Sequence, residues 1–221
     1  MFGNSREITT NQQGIHPDLE KIVQKHLQTI FARPISNPVQ ESFSKLDDKV
    51  ARINKPIILD SGCGVGESTL HLCAQYPDHL VIGVDKSGHR LHKIDSKKSD
   101  LPGNVIFYQA NLVDFWRQVH SAQWNIEKHF ILYPNPWPLK KDLQKRFHAH
   151  PVFPVLLLLC KNMELRSNWP IYLIEFAQAC RIVTGKIFLV EEFHPKQVVT
   201  PFERKYLASG QKLYRLLVDA G

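Results

Sequence analysis

The spacing of apolar residues changes once along this chain, and the change divides it into two parts. In the first part, apolar side chains recur at helical intervals, which predicts amphipathic helices over residues 17–32 and 43–53. Residues 1–15 lack this periodicity and are expected to be disordered. We therefore expect an N-terminal tail and helical extension over residues 1–54.

Beyond residue 54 the apolar residues form short continuous runs, with helix-like segments between most of them. Such runs are typical of strands in a parallel sheet whose two faces are covered by helices. The predicted strands occupy residues 57–59, 80–84, 105–108, 130–132 and 187–190, with weaker candidates at 163–166 and 213–218. The pattern therefore predicts an α/β domain over residues 55–221.

The first predicted strand ends in a glycine-rich turn, and a helix is expected after it over residues 68–75. The turn reads Asp60-Ser61-Gly62-Cys63-Gly64-Val65-Gly66-Glu67. Glycine permits tight turns and lets a ligand approach the backbone closely. The dinucleotide fingerprint would need a glycine in place of Glu67, and no GK[ST] sequence follows to make a phosphate loop. The spacing therefore indicates a ligand without a bound pyrophosphate.

Polar residues after the next two strands extend this candidate ligand site. Asp85 follows the second strand, where a carboxylate accepts hydrogen bonds from a ribose diol. Gln109, Ala110 and Asn111 follow the third strand, in position to meet an adenine edge. Because ligands of open α/β sheets bind outside the carboxyl ends of the strands, these residues predict a nucleoside site.

A stiff, proline-rich turn, Pro134-Asn135-Pro136-Trp137-Pro138, follows the fourth strand. Its three prolines fix φ and remove hydrogen-bond donors, so the segment is neither helix nor central strand. It presents one amide and one indole at the ligand-binding edge, which suits a flat, hydrogen-bonding ring. Trp137 either stacks on such a ring or fills the core beneath the turn, and Tyr133 is expected in the core.

The charge of the chain favours an anionic partner, with nucleic acid first among them. The formal net charge is +7 and the isoelectric point is about 9.2. Basic residues follow the proline-rich turn and are expected to contact RNA: Lys140, Lys141, Lys145 and Arg146, with His148 and His150 at the surface beside them. A second basic cluster follows the second strand: Lys86, Arg90, Lys93, Lys97 and Lys98.

Several other classes of site are disfavoured. The four cysteines form no CxxC pair and are expected to be reduced and buried. The histidines at 148 and 150 lack an evident third ligand, so no metal site is predicted. The N-terminal sequence is polar, without an apolar signal segment, and no apolar run is long enough for a bilayer. We expect a cytoplasmic protein without a membrane partner.

The segments ILDSGCGVG (58–66) and VIGVD (81–85) resemble the class I S-adenosylmethionine-dependent methyltransferases. The resemblance implies a Rossmann-like sheet of seven mostly parallel strands, the last antiparallel, with helices on both faces. It also implies S-adenosylmethionine as cofactor. The implied contacts are the methionine part with Asp60, Gly62, Gly64 and Gly66, the ribose with Asp85, and the adenine with Ala110 and Asn111.

The proline-rich turn, the basic run after it and the late segment TPFERK (200–205) resemble the tRNA (guanine-N7)-methyltransferase family. That family has a PDPW turn, a Thr-Asp pair after its fifth strand and a T-x-[FY]-E-x-[KR] segment near its end. The resemblance implies methyl transfer to guanine N7 of tRNA. It implies catalytic roles for Asn135 and Glu203, and substrate contacts from Trp137, Lys140, Lys141, Lys145, Arg146, Ser167, Asn168 and Thr200.

Two acids of the family pattern are amides in this chain. The PDPW acid is Asn135, and the Thr-Asp pair falls on Ser167-Asn168. Guanine N7 carries an in-plane lone pair and needs no prior deprotonation, so positioning and electrostatics supply most of the catalysis. An asparagine carbonyl still accepts a hydrogen bond but adds no charge, which costs about 1–2 kcal/mol, or roughly ten-fold in rate. A slowed or reshaped enzyme is therefore favoured over an inactive one.

Three alternatives stay open from the residues. Asn168 either contacts substrate or caps the helix that Pro170 begins. The turn Asn135-Pro136-Trp137 is close to the N-P-P-[YFW] turn of exocyclic-amine methyltransferases, although the second proline is missing. The two amides also suit a non-catalytic tRNA-binding protein that keeps the methyltransferase fold.

Overall fold

The computed structural model describes residues 5–95 and 101–219, so the expected cations Lys97 and Lys98 lie outside the described residues. Seven strands form one sheet. They are β1 (Ile57–Ser61), β2 (Leu80–Asp85), β3 (Val105–Gln109), β4 (Ile126–Leu132), β5 (Asn162–Ser167), β6 (Val190–Glu192) and β7 (Tyr214–Asp219).

The sheet has the order β3-β2-β1-β4-β5-β7-β6. All pairs among β1 to β5 are parallel, and β7 runs antiparallel between β5 and β6. This topology confirms the predicted Rossmann-like sheet with an antiparallel last strand. It also places the carboxyl ends of β2, β1, β4 and β5 side by side along one edge, which is the edge that carries the predicted ligand site.

Eight helices accompany the strands in the described part of the chain. They are α1 (Leu19–Leu27), α2 (Asn37–Ile53), α3 (Glu67–Gln75), α4 (Gly88–Asp95), α5 (Leu112–Ala122), α6 (Phe153–Leu158), α7 (Pro170–Thr184) and α8 (Pro201–Ala208). Short 3₁₀ turns occupy Lys140–Lys145 and Phe147–Ala149. The two predicted N-terminal helices are thus confirmed, the first shorter and the second longer than expected.

The sheet separates two hydrophobic clusters because successive residues of a strand point to opposite faces. In β1, Ile57 and Leu59 join the larger cluster with α1, α2, α5, α6 and α7, whereas Ile58 joins the smaller one with α3. Leu19 and Val23 of α1 are buried in the larger cluster, and full burial of such a side chain contributes about 1.5–3 kcal/mol. The N-terminal helices therefore share the core of the sheet, and the division of the chain at residue 54 stays a prediction.

The predicted strand at 187–190 is wrong in its bounds, because β6 covers only Val190–Glu192. Gly185 ends α7 in the left-handed region, with φ 74°, and residues 186–189 follow without regular structure. Ile187 and Leu189 are 72% and 78% exposed. As the edge strand, β6 pairs only with β7, so this apolar run is not enclosed between two neighbours as a central strand would be.

The four cysteines are buried, as expected. Burial raises the pKa of each thiol, to about 12 for Cys73, so these side chains stay protonated. Within residues 5–95 and 101–219, no helix combines the length and apolar character needed to cross a membrane. The same residues contain no cluster of three His, Cys, Asp or Glu side chains that could hold a metal ion.

Candidate cofactor and acceptor site

The glycine-rich turn adopts a backbone that other residues rarely take. Gly62, Gly64 and Gly66 have φ values of 84°, 60° and 80°, all in the left-handed region. A Cβ on Gly66 would lie 2.7 Å from Ile94 and 2.8 Å from Phe107, whereas a Cβ on Gly62 or Gly64 would meet nothing within 4 Å. The third glycine therefore permits close packing, and the first two border open space in which a ligand fits.

Asp60 is buried and fixes the start of α3. Its Oδ2 accepts hydrogen bonds from Ser68 Oγ at 2.6 Å and from Thr69 Oγ1 at 2.7 Å. Burial raises the pKa of this carboxyl against the opposing effect of the two hydroxyls. The residue thus joins the glycine-rich turn to α3, and its direct contact with the methionine part of the cofactor stays a prediction.

Asp85 ties the end of β2 to the glycine-rich turn. Its Oδ2 accepts from the Gly64 amide at 3.0 Å, and its Oδ1 accepts from the Ser87 amide at 2.8 Å. The Arg90 guanidinium lies 3.5 Å from Oδ2. Because a carboxylate offers about four acceptor positions and three donors already lie against this one, capacity remains for one hydroxyl of a ribose. The predicted ribose contact therefore fits this geometry.

The predicted adenine residues lie directly beside Asp85. The Ala110 amide donates to the Asp85 carbonyl at 3.1 Å. Asn111 is the N-cap of α5, and its Oδ1 accepts from the Val113 amide at 2.9 Å. This capping role was not predicted from the sequence. Contact of Asn111 with adenine stays a prediction.

The proline-rich turn and the residue before it have strained backbone conformations. Tyr133 and Trp137 have φ values of 54° and 46°, which are unfavourable for bulky side chains. Tyr133 is buried, as expected, and its amide donates to the Arg166 carbonyl at 2.8 Å. Trp137 is only partly buried, with Lys145 Nζ 4.6 Å from its ring centroid, so it does not fill the core. Asn135 is exposed on the turn.

Arg146 holds this turn from inside the molecule. It is fully buried, and it donates to the carbonyls of Trp137 at 3.0 and 3.1 Å and of Leu139 at 3.3 Å. Its charge is balanced by an ion pair with Glu175 of α7. The expectation that Arg146 contacts RNA is therefore wrong, because a guanidinium has five donors and here they serve carbonyls of the turn and the buried carboxylate.

His148 is also buried, which contradicts its expected place at the surface. Its Nε2 lies 3.0 Å from Glu175 Oε2. Burial lowers the pKa of His148, and because a carboxylate can only accept, His148 Nε2 donates this hydrogen bond. Burial alone would raise the pKa of Glu175, but His148 and Arg146 outweigh it and lower that pKa to about 2. Glu175 is thus an ionised carboxylate in the interior.

The three lysines of the predicted RNA-contacting set remain exposed around the turn: Lys140, Lys141 and Lys145. Lys145 also pairs with Asp142 at 2.8 Å. His150 is half-buried, its ring set edge-on against Phe31 at 5.3 Å, and burial lowers its pKa to about 4. Contact of the lysines with RNA stays a prediction.

The T-x-F-E segment forms a helix cap. Thr200 Oγ1 accepts from the Glu203 amide at 3.0 Å, and Glu203 Oε2 accepts from the Val199 amide at 2.8 Å. Glu203 Oε1 accepts from Tyr133 at 3.0 Å and from Arg166 at 2.6 Å. Glu203 is fully buried, which contradicts a direct contact with substrate, and its part in catalysis stays a prediction. Thr200, expected to contact substrate, is likewise buried as the cap.

The end of β5 is organised by short side chains. Ser167 is buried, and its Oγ accepts from the Trp169 amide at 3.0 Å. Asn168 Nδ2 donates to Gln211 at 2.8 Å. The N-cap of α7 is Trp169, so the capping alternative for Asn168 is wrong because Asn168 lies one residue too early.

The two halves of the site are connected directly. Arg204 of α8 pairs with Glu67, the first residue of α3, at 2.8 Å. This ion pair joins the segment T-x-F-E-x-K to the end of the glycine-rich turn. The glycine-rich turn, Asp85, the proline-rich turn and the end of β5 therefore lie along one edge of the sheet, as predicted.

Residues 5–15, expected to be disordered, contact both ends of this edge. Ser5 donates to Ser209 at 3.1 Å, and Thr10 donates to the Pro138 carbonyl at 2.6 Å. Gln12 is buried against Arg146 and Glu175. Helical periodicity detects helices only, so it missed an irregular segment whose contacts lie more than a hundred residues away.

Comparison with known families agrees with this architecture. The family model described as "Putative methyltransferase" matches residues 54–216. The tRNA (guanine-N(7)-)-methyltransferase of Chlorobium phaeobacteroides is 23% identical over 86% of this chain and 93% of the relative. That of Lysinibacillus sphaericus is 25% identical over 90% of this chain and 94% of the relative.

Solved structures share the fold at low identity. One described as an antibiotic related methyltransferase has a TM-score of 0.55 and 20% identity, covering 78% of this chain and 94% of that one. The 16S rRNA (adenine(1408)-N(1))-methyltransferase from Catenulisporales acidiphilia has a TM-score of 0.54 and 14% identity, covering 78% and 92%. Because the family model matches well over half of the chain, from before β1 into β7, the chain belongs to this family of putative methyltransferases.

Proposed function

We propose that this protein uses S-adenosylmethionine to methylate guanine N7 in tRNA. Its family and fold make it a methyltransferase. The acceptor is supported by curated relatives that are named tRNA (guanine-N(7)-)-methyltransferases. The observation that carries the proposal is the placement, on one edge of the sheet, of an open glycine-rich turn beside a rigid proline-rich turn with an exposed amide and a partly exposed indole.

The residues of the glycine-rich turn fit the cofactor. Open space borders Gly62 and Gly64, and Asp85 keeps acceptor capacity for a ribose hydroxyl. Ala110 lies against the Asp85 backbone, where an adenine would be met. When bound there, S-adenosylmethionine supplies a methyl group on a sulfonium sulfur.

The acceptor half offers positioning rather than a general base. Asn135 is exposed on the turn, where its carbonyl can accept from the N1–H or N2–H of guanine. Trp137 presents part of its indole beside it. Glu203 acts at a distance by fixing Tyr133 and Arg166. Since guanine N7 needs no deprotonation, the absence of a carboxylate contact is compatible with catalysis by orientation.

The surface around the turn suits a nucleic acid. Lys140, Lys141 and Lys145 are exposed next to it, and contacts of this kind with phosphates supply affinity without reading sequence. The net charge of +7 acts in the same direction. A cytoplasmic location stays a prediction.

The direct test is to incubate the protein with tRNA and S-adenosylmethionine and to measure 7-methylguanosine by mass spectrometry of the digested RNA. We expect an increase over an Asp85→Ala control, in which the ribose acceptor is removed. Methyl groups found instead on an exocyclic amine would establish the exocyclic-amine alternative. Retained tRNA binding with no methyl transfer and no cofactor binding by calorimetry would establish the non-catalytic one.

A further inference from the structure

We propose that residues 5–16, here called the N-terminal segment, form part of the acceptor site, and that Gln12 is a positioning residue locking this segment to the proline-rich turn. The inference rests on the proposed function for its kinetic part. Its structural part, the coupling of two segments far apart in sequence, can be tested whatever the acceptor is.

The N-terminal segment runs between the two boundaries of the acceptor half. At one end, the carbonyls of Ser5 and Arg6 accept from Gln211 Nε2 at 3.0 and 3.2 Å. Gln211 in turn accepts from Asn168 at the end of β5. The N-terminal segment therefore begins beside the residues that the family pattern assigns to the substrate.

At the other end, the segment is bound to the chain that leaves the proline-rich turn. Thr10 Oγ1 donates to the Pro138 carbonyl at 2.6 Å, and Asn11 Oδ1 accepts from the Lys140 amide at 3.0 Å. Both contacts are made to backbone groups. The segment thus spans from the end of β5 to the end of the turn, along the edge where an acceptor base would enter.

Gln12 closes this connection in the interior. It is 3% exposed, its Nε2 donates to Glu175 Oε1 at 2.6 Å, and its Oε1 accepts from Arg146 at 3.1 Å. Arg146 also donates to the Trp137 carbonyl. The Arg146 side chain therefore connects Gln12 of the N-terminal segment to Trp137, whose indole is partly exposed.

The hydrogen bonds of Gln12 explain why this residue should control the conformation of the proline-rich turn. Hydrogen bonds to ionised groups are stronger than bonds between neutral groups, and Gln12 makes one to a carboxylate and one to a guanidinium. Trp137 sits in a left-handed conformation that it would not keep without restraint. Loss of the Gln12 amide leaves Arg146 with one donor fewer satisfied, so the turn is expected to sample other conformations.

The experiment compares Gln12→Met with Gln13→Met in the full-length protein. Methionine keeps the length of the side chain and removes its hydrogen bonds. Gln13, the residue after Gln12, is exposed and serves as the control. Hydrogen–deuterium exchange is followed in peptides that cover residues 134–140. We expect exchange there to be about ten-fold faster in Gln12→Met and unchanged in Gln13→Met. Equal exchange in both variants would overturn the proposal that Gln12 restrains the proline-rich turn.

Kinetics separate positioning from simple stability. For Gln12→Met we expect kcat for 7-methylguanosine formation to fall about ten-fold, with the Kd for S-adenosylmethionine within two-fold of the parent protein. A lower melting temperature with unchanged kcat and KM at a temperature where the variant is folded would overturn the positioning role. If the parent protein makes no 7-methylguanosine, the proposed function fails, while the exchange comparison still decides whether Gln12 locks the turn.

Discussion

The cofactor half of the site is held by backbone amides and by the buried carboxylates of Asp60 and Asp85, whereas the acceptor half is held by a buried ion pair. In the first, the amides of Gly62 and Cys63 donate to the Val84 carbonyl, and the Gly64 amide donates to Asp85. In the second, Arg146 and Glu175 form a buried ion pair beneath the proline-rich turn.

This difference predicts which substitutions impair each half of the site. A backbone contact survives most side-chain substitutions, so the cofactor half should be sensitive mainly where a glycine conformation or Asp85 is changed. A buried charge depends on its partner, and removal of one partner leaves the other uncompensated in a medium that solvates it poorly. The acceptor half should therefore lose stability as well as activity.

Glu175→Gln should have the largest effect on stability. It leaves the buried Arg146 guanidinium without a counter-charge, which costs about 3–5 kcal/mol. We expect this loss in the free energy of unfolding measured by urea denaturation. The matched control is Glu191→Gln, at a surface pair with Arg215, where the change should stay below about 1 kcal/mol. Similar losses in both variants would show that the Arg146–Glu175 pair does not behave as a buried ion pair.

Asp85→Ala should affect binding more than stability. It removes the acceptor of a proposed charge-assisted hydrogen bond to the ribose, worth about 1.5–3 kcal/mol, which corresponds to roughly ten- to hundred-fold weaker binding of S-adenosylmethionine. Calorimetric titration measures this change. Asp78→Ala, at an exposed position after α3, should bind as the parent does. Unchanged affinity in Asp85→Ala would remove Asp85 from the cofactor site.

Acid should lower the free energy of unfolding through His129, which contacts the end of β1. This buried residue of β4 lies 2.7 Å from Ser61 Oγ at the end of β1. Burial lowers its pKa from 6.5 to about 3, so between these pH values the unfolded chain binds more protons than the folded one. The contribution of neutral His129 is complete above pH 6.5 and is lost as pH falls toward 3, with a slope of up to about 1.4 kcal/mol per pH unit.

Urea unfolding between pH 7.5 and 4.5 measures that slope, and His129→Gln should reduce it. Other histidines whose pKa burial lowers contribute in the same direction: His26, His148 and His150. A His129→Gln slope equal to that of the parent would show that His129 is accessible to protons in the folded state.

Asn135→Asp should give the smallest effect and the most specific one. It restores the acid that the family pattern has in the proline-rich turn, and the added charge is worth about 1.4 kcal/mol, or ten-fold in kcat/KM for guanine methylation. Asn125→Asp is the matched control, because Asn125 is exposed at the opposite edge of the sheet, before β4. No gain from Asn135→Asp would indicate that Asn135 does not face the acceptor base.

The cofactor half could be predicted almost entirely from sequence, since its determinants are local. Positive φ values at Gly62, Gly64 and Gly66 follow from glycines placed directly after a strand, and the position of Asp85 follows from strand order. The partners of Arg146 could not be predicted in this way, because Gln12 and Glu175 are 163 residues apart. One signal was present: Glu175 is a lone acid in the apolar helix PIYLIEFAQAC.

The T-x-F-E segment shows how a family pattern and local physics can suggest different roles for the same residues. The resemblance suggested catalysis and substrate binding for Glu203 and Thr200. The spacing T-x-x-E before a helix also matches a capping box, which predicts a structural role. Thr200 makes the capping bond, whereas Glu203 accepts from the Val199 amide, one residue before the N-cap. Motif residues therefore need their hydrogen-bond partners identified before a chemical role is given to them.

The lock at Gln12 has a consequence for related chains. Gln12, Arg146 and Glu175 satisfy one another in the interior, so replacing one leaves the other two with an unmatched donor or charge. Homologues that lack the glutamine should therefore differ at the arginine or the glutamate as well. Substitutions at these three positions should arise together in the history of the family, although one of them lies in a segment whose own sequence pattern predicts no structure.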